Sequence, residues 1–215
     1  MRTLKSTLQI LLFLTIGLVD GDVFTQPTVN DRLTDRVKNV SFEGKSLTRI
    51  VSQIATEHQI PIGIEIVPPV QDLKLSFSVE DGTLKDLLNL VASSVPNYEW
   101  EIADDVINFL PTSRHETILQ AIVSQYETKE RNGLVLRQSI TDLPEVRRAM
   151  KEQRIKPFHL SSGPLNGMIM PDNFAMRLKD VTVRTILNEI AKRSSNKYWV
   201  IGRDGKKKES LFVYL

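Results

Sequence analysis

The chain predicts an α+β fold in which tandem strand–helix–strand repeats form two small modules, each a short mixed sheet flanked by helices. Three observations predict it. "LKDLLNLVASSVPNYEWEI" (Leu84–Ile102) and "VRTILNEIAKRSSNKYWVI" (Val183–Ile201) align without a gap at an offset of 99 residues. Within each, apolar residues recur first at helical spacing and then at strand spacing. A third copy, "VSFEGKSLTRIVSQIATEH", matches the region 37 residues further on, pairing Phe42 with Val79, Ser46 with Thr83 and Leu47 with Leu84.

The helices come first. Leu84, Leu87, Leu88 and Val91 fall at i, i+3, i+4 and i+7, one face of a helix, and Val183, Ile186, Leu187 and Ile190 repeat the pattern. Thr83 and Thr182 stand where a side-chain oxygen can accept from an orphan N–H at the helix start. Asp86, three residues after Thr83, completes a capping-box arrangement that Thr185 cannot supply for Thr182.

A strand precedes each helix. "LSFSVED" puts Leu75, Phe77 and Val79 on one face, and "FAMRLKD" does the same with Phe174, Met176 and Leu178. A strand and a hairpin follow each helix: "YEWEI" turns at Ala103–Asp105 into "VINF", and "YWVI" turns through "GRDGKKKES" into "LFVY". Trp100 and Trp199 hold equivalent places and read as core anchors. In the leading copy the closing strand is Ile62–Val67, ended by Pro68 and Pro69.

The start of the second half is ambiguous. Ser113 with Glu116 resembles a capping box, and Ile118, Leu119, Ile122, Val123 and Tyr126 suit a helix, yet Leu119, Ala121 and Val123 also alternate. The repeat favours a strand at about residues 118–127 and a helix from Asn132. "DLPEVRRAMKEQ" is a plainer helix, with Pro144 in its first turn. Residues 160–173 carry loop signals.

Residues 1–21 read as a secretory signal peptide: Arg2 and Lys5, then an apolar run from Leu8 to Val19. That run is shorter than the roughly 20 residues needed to cross a bilayer. Its small-residue cleavage pattern is poor, so an uncleaved anchor stays as the alternative. The expected domains are 1–21 as signal peptide, 39–111 as the first module and 115–215 as the second. The expected location is the periplasm or another exported site. The chain has no cysteine, so no disulfide forms. Removing Arg2, Lys5 and Asp20 leaves it close to neutral, which argues against nucleic acid as the main partner.

Residues 39–110 resemble the secretin and TonB short N-terminal domain. The resemblance rests on a small residue and an apolar one opening each helix, then an apolar-x-x-apolar-apolar-x-x-apolar-Ala run. Here these are Ser46-Leu47 with Ile50, Val51, Ile54 and Ala55, and Thr83-Leu84 with Leu87, Leu88, Val91 and Ala92. Residues 174–214 look like another such half. The turns "SSVPN" and "RSSNK" lack the glycine usual in the family, and no barrel or pore sequence follows, so the expectation is a free-standing relative. The resemblance implies a non-enzymatic protein-interaction module of the bacterial cell envelope, near a secretion, pilus or TonB-linked assembly.

The residues themselves offer little catalytic chemistry. His58, His115 and His159 have no His, Asp or Glu at ligand spacing, so no metal or other cofactor is expected. "SSGP" at 161–164 reads as a turn, and "GPLNG" lacks the Gly-Lys-Ser/Thr ending of a phosphate loop. Asp104 and Asp105 are adjacent in a hairpin turn and should point apart. Arg203, Lys206, Lys207 and Lys208 form a local basic patch, read as a solvated loop or as a contact for an anionic surface or acidic partner. The alternative function is a small-ligand-binding protein or an enzyme using the cleft between the two modules.

Overall fold

A computed structural model describes residues 27–67, 70–113, 118–157, 170–204 and 210–215. Helix α1 (Val29–Arg32) leads to β1 (Arg36–Lys45), α2 (Leu47–His58) and β2 (Ile62–Ile66). After a 3-10 turn come β3 (Leu75–Thr83), α3 (Leu84–Ser93) and the hairpin β4 (Tyr98–Ala103) and β5 (Val106–Pro111). The second half repeats the order with β6 (Ile122–Thr128), α4 (Gly133–Thr141), α5 (Pro144–Glu152), β7 (Lys156–Pro157), β8 (Met176–Thr182), α6 (Val183–Arg193), β9 (Tyr198–Asp204) and β10 (Ser210–Tyr214). The chain is α+β, with strand–helix–strand units and short mixed sheets.

The caps expected at Thr83 and Thr182 form, and Ser46 caps α2 in the same way. Ser46, Thr83 and Thr182 each accept from the N–H three residues on. Asp86 accepts from the Thr83 hydroxyl at 2.7 Å and from the Thr83 N–H at 2.9 Å, and these bonds, the hydroxyl first, hold its carboxyl below the usual carboxylate range. The apolar stripes of α3 and α6 are wholly buried. In the ambiguous quarter a strand and then a helix occur, in the order expected. The strand begins at Ile122 rather than near 118, because Ile118–Gln120 wind into a 3-10 turn. Asn132 starts α4 by accepting from the Leu134 N–H at 2.9 Å, and Pro144 opens α5. Where the first half has the single helix α2, the second has two short ones. Both helical segments close on a left-handed residue, Gln59 (φ 51°) and Arg154 (φ 56°). The next N–H then reaches back, Ile60 to the Ala55 carbonyl and Ile155 to that of Met150.

The strands do not stay within their halves. β1 pairs with β3 and β6 with β8 as antiparallel ribbons. The remaining strands make one six-stranded sheet in the order β4-β5-β2-β9-β10-β7. Its centre is a parallel pairing of β2 with β9, Ile62 opposite Tyr198 and Gly63 opposite Trp199. Each half supplies three strands in the same order, β4-β5-β2 and β9-β10-β7. β4 is antiparallel to β5, β5 is parallel to β2, and β2 is parallel to β9, so β4 runs opposite to its counterpart β9. A half-turn that keeps strand order and reverses strand direction also exchanges the two faces of the sheet.

The cores follow that half-turn. One face carries Ile62, Ile64, Ile107, Phe109 and Val200 into a core with α2 and α3. The other carries Trp199, Ile201 and Val213 into a core with α6. Gly63 is required at the junction: a Cβ there would fall within the indole of Trp199, closer than real atoms approach.

Candidate interaction surface

The repeat holds a paired feature beyond its apolar periodicity. The Trp100 Nε1 donates to Asn89 Oδ1 at 3.0 Å, and the Trp199 Nε1 donates to Asn188 Oδ1 at 2.8 Å. Both asparagines lie eleven residues before their tryptophan, on α3 and α6, and they align with each other in the repeat. The expectation of equivalent anchors holds, with a difference in burial. Trp199 is 0% exposed, whereas Trp100 is only half-buried.

Trp100 sits on β4, the outermost strand at one end of the six-stranded sheet. Among the described residues no strand pairs with its outer edge. The Thr112 N–H donates to the Asn97 carbonyl at 2.7 Å, one step beyond the Tyr98–Pro111 pair. In an antiparallel ladder bonded and non-bonded pairs alternate. Glu99 and Glu101 therefore bond to β5, and Tyr98, Trp100 and Ile102 direct their N–H and C=O outward. Pro111 is tolerated because its partner Tyr98 sits in a non-bonded pair.

At the head of this edge lies an apolar cavity of about 520 Å³, lined among others by Val67, Val70, Leu73, Pro96, Tyr98 and Pro111. Tyr98 is its fixed wall. Its hydroxyl donates to the Glu65 carbonyl at 2.8 Å and accepts from the Val67 N–H at 3.1 Å. Burial pushes its pKa up to about 12. The cavity lies at one end of the first half, not between the halves. At the junction between the halves Trp199 packs against Gly63.

The edge is held from two sides. α3 binds it through Asn89 and Trp100. From the second half, Arg184 on α6 reaches Glu101 at 3.2 Å, and the Asn188 Nδ2 reaches the Ala103 carbonyl and Asp104 Oδ2, each at 3.3 Å. Asp104 and Asp105 have φ of 55° and 58°, a two-residue hairpin turn of the primed kind. They point apart as expected: Asp104 faces α6, and Asp105 Oδ1 accepts from the Val29 N–H at 2.8 Å at the start of α1. A strand edge fixed at this many points loses little freedom when it binds.

Arg203 lies on β9 in the centre of the sheet, and Lys206, Lys207 and Lys208 lie outside the described residues. The signal segment 1–21, His115, His159 and the turn at 161–164 also lie outside them. His58 ends α2, as expected. Among the described residues no cluster of three His, Cys, Asp or Glu is arranged to hold a metal, and no helix is long and apolar enough to cross a membrane.

No protein-family model matches the chain, and neither a curated protein nor a solved structure matches it significantly.

Proposed function

We propose that the chain is an exported, non-enzymatic docking module of the bacterial cell envelope that adds an extended segment of a partner protein to the edge of β4. The outward N–H and C=O groups of Tyr98, Trp100 and Ile102, with the apolar cavity at their head, carry this reading. Main-chain pairing along an edge supplies affinity, and a pocket beside it supplies selectivity. The resemblance of residues 39–110 to the secretin and TonB short N-terminal domain supports the envelope setting, and the signal-like residues 1–21 support export.

Photo-crosslinking in intact envelopes tests it. A photoreactive residue at Glu99 should give a discrete protein adduct, and the same residue at Lys45 on β1 should not. Ile102→Pro removes one outward N–H and leaves the bonded pairs with β5 in place, so the Glu99 adduct should disappear in that background. Equal adducts from both positions, or an adduct indifferent to Ile102→Pro, would refute docking at β4.

The cavity volume favours one second reading, a small apolar ligand, since about 520 Å³ is within the usual range of ligand pockets. Such a ligand would shift the amide resonances of Val67 and Tyr98 and leave those of Trp100–Ile102 unmoved.

A further inference from the structure

The molecule already contains one docked edge of the same kind. β9 is the counterpart of β4, and β9 holds β2 in parallel register. The Ile62 N–H donates to the Lys197 carbonyl at 2.8 Å, so in a parallel ladder Trp199 and Ile201 also direct their groups toward β2. At the repeat offset, Lys197, Trp199 and Ile201 correspond to Tyr98, Trp100 and Ile102. These are the three residues of β4 whose groups face outward.

The indoles extend the correspondence. Trp199 is fixed by Asn188 and lies over Gly63 of the neighbouring strand. Trp100 is fixed by Asn89 through the same bond, and the lane equivalent to that of Gly63 is the one just outside β4. With β2 in its lane, Trp199 is 0% exposed; with no described strand in the equivalent lane, Trp100 stays half-buried.

We infer that the partner segment docks parallel to β4 and places a glycine beside Trp100. This rests on the docking reading above and specifies its ligand. The residue before the glycine donates its N–H to the Tyr98 carbonyl and accepts from the Trp100 N–H. The residue after it donates to the Trp100 carbonyl and accepts from the Ile102 N–H. These two side chains lie on the face that carries Glu99 and Glu101. An apolar residue two places before the glycine lies on the face of Tyr98, at the cavity. The ligand is therefore an extended peptide with a glycine two places after an apolar residue. A second copy docking through its own β4 fits poorly, because it would set Glu99 and Glu101 of the two copies opposite one another.

The test uses the full, isotopically labelled chain and a synthetic peptide with the core Leu-Lys-Gly-Lys. It is compared with a peptide in which valine replaces the glycine. Binding should perturb the amides of Tyr98–Ala103. A spin label at the peptide N-terminus should broaden Val67 and Tyr98, and one at the C-terminus should broaden Ala103 and Asp104. Replacing the glycine with valine should weaken binding about tenfold or more, and Trp100→Ala should remove most of that penalty. Broadening in the reverse order would overturn the parallel register and leave docking at β4 standing. Equal affinity of the glycine and valine peptides would overturn the placing of a glycine beside Trp100. Self-association that perturbs the same amides would make a second copy the occupant and overturn the peptide ligand. No perturbation of β4 by any peptide, with the chain folded, would refute this inference, and loss of the Glu99 crosslink as well would refute docking itself.

Discussion

Trp199 and Asn188 are joined across the second core by a hydrogen bond of 2.8 Å, with both side chains wholly buried. Trp100 and Asn89 make the same bond at 3.0 Å, but Asn89 is exposed. Chemical identity with different burial separates the worth of the bond from the cost of orphaning it. Asn188→Ala leaves a buried indole N–H without an acceptor and also removes the contacts to Ala103 and Asp104, so it should cost about 2–3 kcal/mol. Asn89→Ala exposes its indole to water and should cost about 1 kcal/mol or less. Urea denaturation of the two variants measures the difference, and equal losses would contradict the assigned burial.

Gly63 and Trp199 meet at the junction between the halves. Gly63→Ala places a methyl group against the indole and should destabilise by about 1–3 kcal/mol through overpacking. The penalty should shrink in a Trp199→Phe background, where the ring is smaller. A double-mutant cycle with no coupling between the two positions would show that they do not share this space.

Much of the architecture is legible in the sequence, and the limits of that legibility are physical. Helical spacing identifies Leu84, Leu87, Leu88 and Val91 as buried because one face of a helix repeats locally. Pro144 announces the start of α5 by its chemistry alone. The pairing of β2 with β9 has no local signature, since each strand reads only as a short apolar run, and nothing near Gly63 says that an indole will cover it. The candidate edge is partly legible. Asn89 and Asn188 recur at the same offset inside otherwise apolar stretches, and a polar residue repeated there is a signal of a shared bonding role. That β4 is outermost depends on the order of strands, which no periodicity encodes.

Because one sheet runs through both halves, damage to either core should propagate. Leu88→Asp and Leu187→Asp each place a charge at a fully buried helix position. β9 carries side chains of both cores, Val200 in the first and Trp199 and Ile201 in the second. Each substitution should therefore abolish cooperative folding of the whole chain and not of one half alone. Unfolding of the unsubstituted protein should likewise be a single transition, coincident by tryptophan fluorescence and far-UV circular dichroism. Retention of a native Trp199 signal in Leu88→Asp would show the halves to be energetically separate.

Tyr98 links the first core to alkaline pH. Its pKa, about 10 in an unfolded chain, is pushed to about 12 mainly by burial in the folded protein. The unfolded state thus releases the phenolic proton first. The contribution of Tyr98 is fully present below pH 10 and is lost as the pH rises toward 12, by an amount on the order of 2 kcal/mol. Burial raises Tyr126 and Tyr198 as well, so the whole protein should lose stability in this range from several groups. Tyr98→Phe isolates one of them. It gives up the bonds to Glu65 and Val67 and should be less stable than the parent at neutral pH. Between pH 10 and 12 its stability should fall less steeply, so the two denaturation midpoints converge. Parallel curves across that range would mean that Tyr98 ionises as freely in the folded chain as in the unfolded one, and that the wall of the cavity is open to water.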